Sequence, residues 1–192
     1  MQYWLYIILI IVVSFVAGAV FHFFISRRKL QHLSKKASQD EMSGLLNFQA
    51  FKKKADIQFD EAKRNNKCFA ILLIDIDNLK SINDDFEYYY GDIAIKKLAA
   101  FLVDNFRSND LIARFKLGDE FILMLENIEK PDLEKLIARL KSKSDLTIED
   151  INRKVEFSIG YGILQAEDNT ISDVISRAEF QLKEVKSAKH YG

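Results

Sequence analysis

Seven apolar residues in a row, Cys68, Phe69, Ala70, Ile71, Leu72, Leu73 and Ile74, run directly into Asp75, Ile76 and Asp77. A run this short and this uniformly apolar predicts a strand covered on both faces, so the chain must supply packing layers on each side of a sheet. Packing does not need the acids that follow. A buried strand that delivers two carboxylates spaced i, i+2 at its carboxyl end points to chemistry at that edge of the sheet.

A second segment, residues 110–126, reads as apolar arm, polar break, apolar arm. Leu111, Ile112 and Ala113 form the first arm and Phe121 to Leu125 the second, with Gly118 between them, which predicts a hairpin. Asp119 and Glu120 sit in or just after the break. Two adjacent carboxylates beside a buried strand suit divalent-metal binding or proton transfer; alone, the segment reads first as an ordinary acidic hairpin tip.

Helical spacing fills the rest. Phe51, Ala55 and Phe59 give one amphipathic helix that runs to about Arg64, after a turn at Ser43 and Gly44, and Asn65-Asn66-Lys67 ends it. Residues 78–92 are polar and read as turn-rich. Ile95, Leu98, Leu102 and Phe106 mark a helix over residues 93–106. Pro131 starts another over 132–143, with Leu133, Leu136, Ile137 and Leu140 inward. Residues 155–164 read as a strand whose Gly160 and Gly162 predict close approach of another backbone. Val174, Ile175, Ala178, Leu182 and Val185 line the last helix, residues 171–189. This order predicts an α+β fold: a central, largely antiparallel sheet with surrounding helices, of the nucleotidyl-cyclase or ferredoxin-like kind.

Residues 3–25 contain no Asp, Glu, Lys or Arg, and about 20 such residues in a helix span a bilayer core. Arg27, Arg28 and Lys29 follow at once, so the positive-inside rule places the N-terminus outside and the remainder in the cytoplasm. Ala17-Gly18-Ala19 resembles a signal-peptide cleavage site, but no basic residue precedes the run and the run continues past it, which favours a retained anchor. The expected organisation is a transmembrane anchor over residues 1–26, a juxtamembrane helical linker over 27–39 and one domain over 40–192, held at the inner membrane by a single pass. Lys+Arg and Asp+Glu balance at 28 each, so net charge points to no nucleic-acid partner. One cysteine, Cys68, excludes an internal disulfide and a cysteine-based zinc site.

Taken together, these segments resemble the GGDEF domain of diguanylate cyclases over nearly all of residues 40–190. Asp40-Glu-Met-Ser-Gly-Leu-Leu-Asn47 is similar to the family's opening motif. Asp75, Ile76, Asp77, Lys80, Ile82, Asn83, Asp84, Gly91 and Asp92 match its second motif, in which Leu79, Glu87 and Tyr88 depart. Leu117-Gly-Asp-Glu-Phe121 stands where the family has Gly-Gly-Asp-Glu-Phe, with one extra residue before it. Ser158-Ile159-Gly160 matches a later strand, and Ala178 to Lys186 resembles a later helical segment, with Glu179 in place of an aspartate and Lys186 matching.

The resemblance implies condensation of two GTP to cyclic di-GMP with release of two pyrophosphates, by two domains facing each other as a homodimer. It implies Mg²⁺ (or Mn²⁺) held by Asp75, the Ile76 carbonyl, Asp119 and Glu120, the last two also serving as catalytic groups. Asn83 and Asp92 would read guanine, Gly118 would let the nucleotide approach, and Lys80 and Lys186 would meet the phosphates. Arg107 and Asp110, an Arg-x-x-Asp pair, would form an inhibitory site for the product; the same pair could instead cap a helix end. Asp77 is expected to cap the following turn, and Glu179 to be a solvated helix residue. Leu117 and His190 depart from a glycine and a phosphate-binding arginine. They leave open a domain that only binds GTP or cyclic di-GMP and signals through protein contacts.

Overall fold

The structure, a computed structural model, describes residues 21–22, 38–116 and 118–190, apart from the His190 side chain. The expected membrane span and linker therefore lie almost wholly outside the described residues. Among those described, no helix is long and apolar enough to cross a membrane. The chain divides into two units, Met1–Ser38 and Gln39–Gly192, and the second holds the sheet and the helices packed on it.

Helix α1 (Phe48–Asn65) leads into β1 (Phe69–Ile76), followed by α2 (Leu79–Phe86) and α3 (Tyr88–Asn105). Then come β2 (Leu111–Phe115), β3 (Glu120–Glu126), α4 (Lys130–Lys143), the two-residue strands β4 (Thr147–Ile148) and β5 (Arg153–Lys154), β6 (Phe157–Ile163) and α5 (Ile171–His190). The main sheet has the order β2-β3-β1-β6, and each neighbouring pair is antiparallel. The expected α+β sheet is present. The expected turn-rich stretch, residues 78–92, is instead the helix α2 and the first turn of α3, which begins at Tyr88 and not at 93: Ser, Asn and Asp dispose it toward turns, and the burial of Ile82 and Gly91 holds it helical. The small β4–β5 hairpin carries no periodicity to read.

All eight residues of β1 are buried, because the sheet separates two cores. Ala70, Leu72, Ile74 and Ile76 face α3 and α4 together with Phe121, Leu123 and Leu125. Phe69, Ile71 and Leu73 face α1 and α5 together with Ile122 and Met124. The second core is unusually tight against α5. A Cβ on Gly160 would lie 2.3 Å from the Leu182 backbone nitrogen and 2.4 Å from the Ala178 carbonyl oxygen. Only glycine lets this helix lie directly on β6, as the sequence predicted.

Candidate functional site

Strand alternation decides where the acids go. Odd-numbered residues of β1 face α5, so Asp75 continues the row of Phe69, Ile71 and Leu73 past the point where apolar packing stops. Even-numbered residues of β3 share that face, and Asp75 and Glu120 are register partners across the two strands. Asp119 precedes Glu120 in the turn, and its carbonyl accepts from the Ile76 N–H at 3.4 Å. The hairpin and the strand end thus converge as expected.

The electrostatics record that convergence. Burial first, then the charges of Asp119 and Asp77, push the Asp75 carboxyl above its ordinary value, while Lys186 pulls it back. Glu120 is likewise raised, by burial and then by Asp75 and Asp119, against the pull of Lys116 and Lys186. Asp75 is only 7% exposed, and the ammonium of Lys186 on α5 sits against its Oδ1 as an ion pair. One turn further along α5, Lys189 reaches Asp77 at 2.6 Å, and the Ser158 hydroxyl donates to the other oxygen of Asp77 at 2.8 Å. Asp77 therefore ties β1 to β6 and α5 and does not cap α2, whose cap position is Asn78 with φ 56°.

The hairpin is braced from two sides. Arg114 donates from Nε to the Gly118 carbonyl at 2.9 Å and from its terminal nitrogen to Asp40 at 3.2 Å. Asp40 also accepts from the Ser43 backbone and hydroxyl, so the opening motif grips the signature turn. On the other side Lys116, with φ 55°, reaches Glu179 at 3.0 Å and lies over the Phe115 ring. Glu179 is thus a partner of the hairpin and not merely a solvated helix residue. A Cβ on Gly118 would meet nothing within 4 Å, which leaves that side of the turn open. Leu117 and the His190 side chain lie outside the described residues.

A separate part of the second motif lies at the junction of α2 and α3. Asn83 packs against Gly91, where a Cβ would lie 2.0 Å from its Oδ1, and that buried oxygen has no hydrogen-bond partner. Asp92 follows on the next position of α3. A buried amide oxygen without a donor costs about 1–3 kcal/mol and invites a ligand N–H. Lys80 is exposed on the first turn of α2.

Arg107 and Asp110 border a groove of about 590 Å³ between α3 and α4, together with Lys135 and Arg139. That volume falls within the roughly 300–1,000 Å³ range of small-molecule sites. The Asp110 carboxylate accepts from the Arg107 backbone N–H at 2.8 Å, closing the loop after α3 on itself. Burial raises its pKa, partly offset by the Arg107 N–H and charge.

The sequence reading missed Lys189, Lys116 and Arg114. The i, i+3 spacing of Lys186 and Lys189 on one helix was the only local signal, and the αL backbone at Lys116 gave none.

A sequence profile described as "Diguanylate cyclase, GGDEF domain" matches residues 37–191. The chain belongs to the GGDEF-domain family. Among curated relatives, MucR of Pseudomonas aeruginosa, a bifunctional diguanylate cyclase and cyclic di-GMP phosphodiesterase, is 26% identical over 86% of this chain and 24% of its own length. The response regulator PleD of Caulobacter vibrioides is 29% identical over 84% of this chain and 37% of its own. This GGDEF chain therefore spans about a quarter to somewhat over a third of those proteins. The coiled coil and GGDEF domain of DgcB from Caulobacter crescentus, solved with cyclic di-GMP, superposes with a TM-score of 0.82 at 19% identity, covering 91% of this chain and 94% of that one. That likeness establishes the fold.

Proposed function

We propose that this GGDEF domain is a diguanylate cyclase, joining two GTP into cyclic di-GMP with loss of two pyrophosphates. The observation that carries the reading is the juxtaposition of Asp75, Asp119 and Glu120 at one sheet end, with Lys186 already opposing their charge. Among the described residues no three such side chains form a ready-made metal cage. The donor set nevertheless fits Mg²⁺ or Mn²⁺: hard carboxylate oxygens that raise one another's pKa and draw a cation to Asp75.

Asp75, Asp119, Glu120 and the Ile76 carbonyl would hold the ion, which when bound neutralises phosphate charge and lowers the pKa of a coordinated hydroxyl. Asn83 Oδ1 and the Asp92 carboxylate accept from the N1–H and N2–H₂ groups of guanine. Lys186 and Lys80 meet the phosphates as point charges. The raised pKa of Glu120 suits it to accept the proton of the 3′-hydroxyl as that oxygen bonds the α-phosphorus and pyrophosphate leaves. Because each domain holds one GTP, ring closure needs two domains face to face, so the active form is a homodimer.

Residues 3–25 supply the membrane anchor, the N-terminus outside and the domain cytoplasmic. Cyclic di-GMP returns as inhibitor to the groove of Arg107 and Asp110, where Arg107, Lys135 and Arg139 can meet phosphates and the carboxylates of the lining can accept from a guanine edge.

The test is incubation of the full chain with GTP and Mg²⁺ beside its Glu120→Gln variant, with cyclic di-GMP assayed directly. We expect product from the first and at least about a hundredfold less from the second. No product at concentrations where the chain dimerises would overturn the enzyme; binding of labelled cyclic di-GMP by the same sample would mark a receptor instead.

A further inference from the structure

Tyr88 opens α3 and is 79% exposed, more than any other large apolar residue described. Its neighbours have ring partners: Tyr89, itself 64% exposed, meets Tyr90 with ring centroids 5.3 Å apart, and Tyr90 meets Phe86 at 6.3 Å. Tyr88 takes no part in that cluster. An exposed tyrosine is ordinarily just solvated, so its position on the helix decides the matter.

At about 100° per residue, Tyr88 falls on the helix circumference between Gly91 and Asp92, one turn toward the N-terminus. Gly91 is where the unpartnered Asn83 oxygen lies, and Asp92 carries the second acceptor. Helical side chains lean toward the N-terminus, so Asp92 leans back over the turn that Tyr88 occupies. A flat heterocycle held at its edge by these two acceptors still presents its π-faces to water.

The backbone fixes this arrangement. Glu87, just before Tyr88, has φ 91° and ψ 153°, a region that is almost exclusively glycine's. Its N–H donates to the Asn83 carbonyl at 3.2 Å, and its own carbonyl accepts from Tyr90 at 3.1 Å. The strained residue thus sets the angle between the helix bearing Asn83 and the helix bearing Asp92 and Tyr88.

We propose that Tyr88 is the base-stacking residue of the nucleotide site, covering one face of the guanine whose edge Asn83 and Asp92 take. This rests on the reading of those two residues given above. Stacking is tolerant of base identity, whereas the edge contacts are not, so the two contributions separate by experiment.

The measurement uses the full chain and a GTP analogue with a methylene group between its α and β phosphorus atoms, which cannot release pyrophosphate. The corresponding ATP analogue is titrated in parallel. Tyr88→Ala is expected to bind both analogues about tenfold more weakly, keeping their ratio, and Tyr88→Phe to recover the lost affinity. Asp92→Ala is expected to change the ratio itself. In turnover, Tyr88→Ala raises KM with kcat held, since the base lies away from the reacting phosphorus. Its melting temperature should not move, because the side chain is exposed. Binding of the GTP analogue by Tyr88→Ala within about twofold of the unaltered chain would overturn the assignment of Tyr88 alone. Failure of the unaltered chain to bind the analogue at all would overturn both this proposal and the guanine reading beneath it.

Discussion

The two faces of β1 have opposite characters at the same residues of chain. Facing α3 and α4, its side chains are Ala70, Leu72, Ile74 and Ile76, apolar from one end to the other. Facing α5, they begin alike with Phe69, Ile71 and Leu73 and then become Asp75, with Asp77 just beyond, each opposed by a lysine of α5. One face is optimised for stability throughout. The other gives up packing where the sheet edge can hold reactive groups, and the helix above it supplies the compensating charge. The lesson is that the site is built where one core ends, on a strand that the opposite core keeps rigid.

The sharpest way to break this contrast is to neutralise the acid. Asp75→Asn should lower cyclic di-GMP formation at least about a hundredfold, because a metal-holding carboxylate is lost, with no loss of thermal stability, because the buried charge was itself unfavourable. Product assay and melting curve, read together, check both halves. A marked fall in stability would mean that the Asp75–Lys186 pair holds the fold.

The opposite face should answer in reverse. Leu72→Ala removes a fully buried side chain and is expected to destabilise the domain by about 2–5 kcal/mol, measured by denaturant unfolding. Nucleotide affinity of the folded fraction should stay as it was. A selective loss of affinity at unchanged stability would mean that the two faces are not separable.

The smallest effect is one of pH. Asp75 and Glu120 have folded pKa values raised above 3.8 and 4.5, so the folded domain binds more protons than the unfolded chain in the window above those values. Their contribution to stability is therefore greatest below the ordinary carboxylate range and is lost as pH rises through the raised values. Asp75→Asn removes its share of that loss. The difference in unfolding midpoint between variant and unaltered chain should grow in the variant's favour between about pH 4 and pH 7, in the absence of divalent ions. A difference that stays flat across the window would show that Asp75 is not strained by its surroundings.

Much of this contrast was legible in the sequence. A continuous apolar run announces a strand covered twice, and acids at its end announce that one cover stops. Helices α1, α3, α4 and α5 were readable because each turns a 3.6-residue stripe toward a core. Helix α2 was not, since its residues favour turns and tertiary contact overrides them. The sequence brought Asp75, Asp119 and Glu120 to one end of the sheet, as the strand register does, but not two of the lysine pairings around them. Lys189 meets Asp77 across 112 positions of chain, and Lys116 meets Glu179 across 63. Pairings of that kind exist only once the fold brings the partners together. The tension at Glu87 was visible only as a departure from the family's motif, where glycine is usual, because a residue name does not state its φ.

The sheet order has a kinetic side. The central strand β1 hydrogen-bonds only to strands that come later in the chain, β3 and β6, and α5 then closes over it. Such non-local pairings must be reached against loop-closure entropy, so this topology is expected to fold slowly compared with a helical bundle of its size. Asp75, Glu120 and Lys186 come from three elements scattered along that route. Partly folded chains lack the site, and a ligand that holds all three groups selects the finished molecule, drawing the population toward it by mass action.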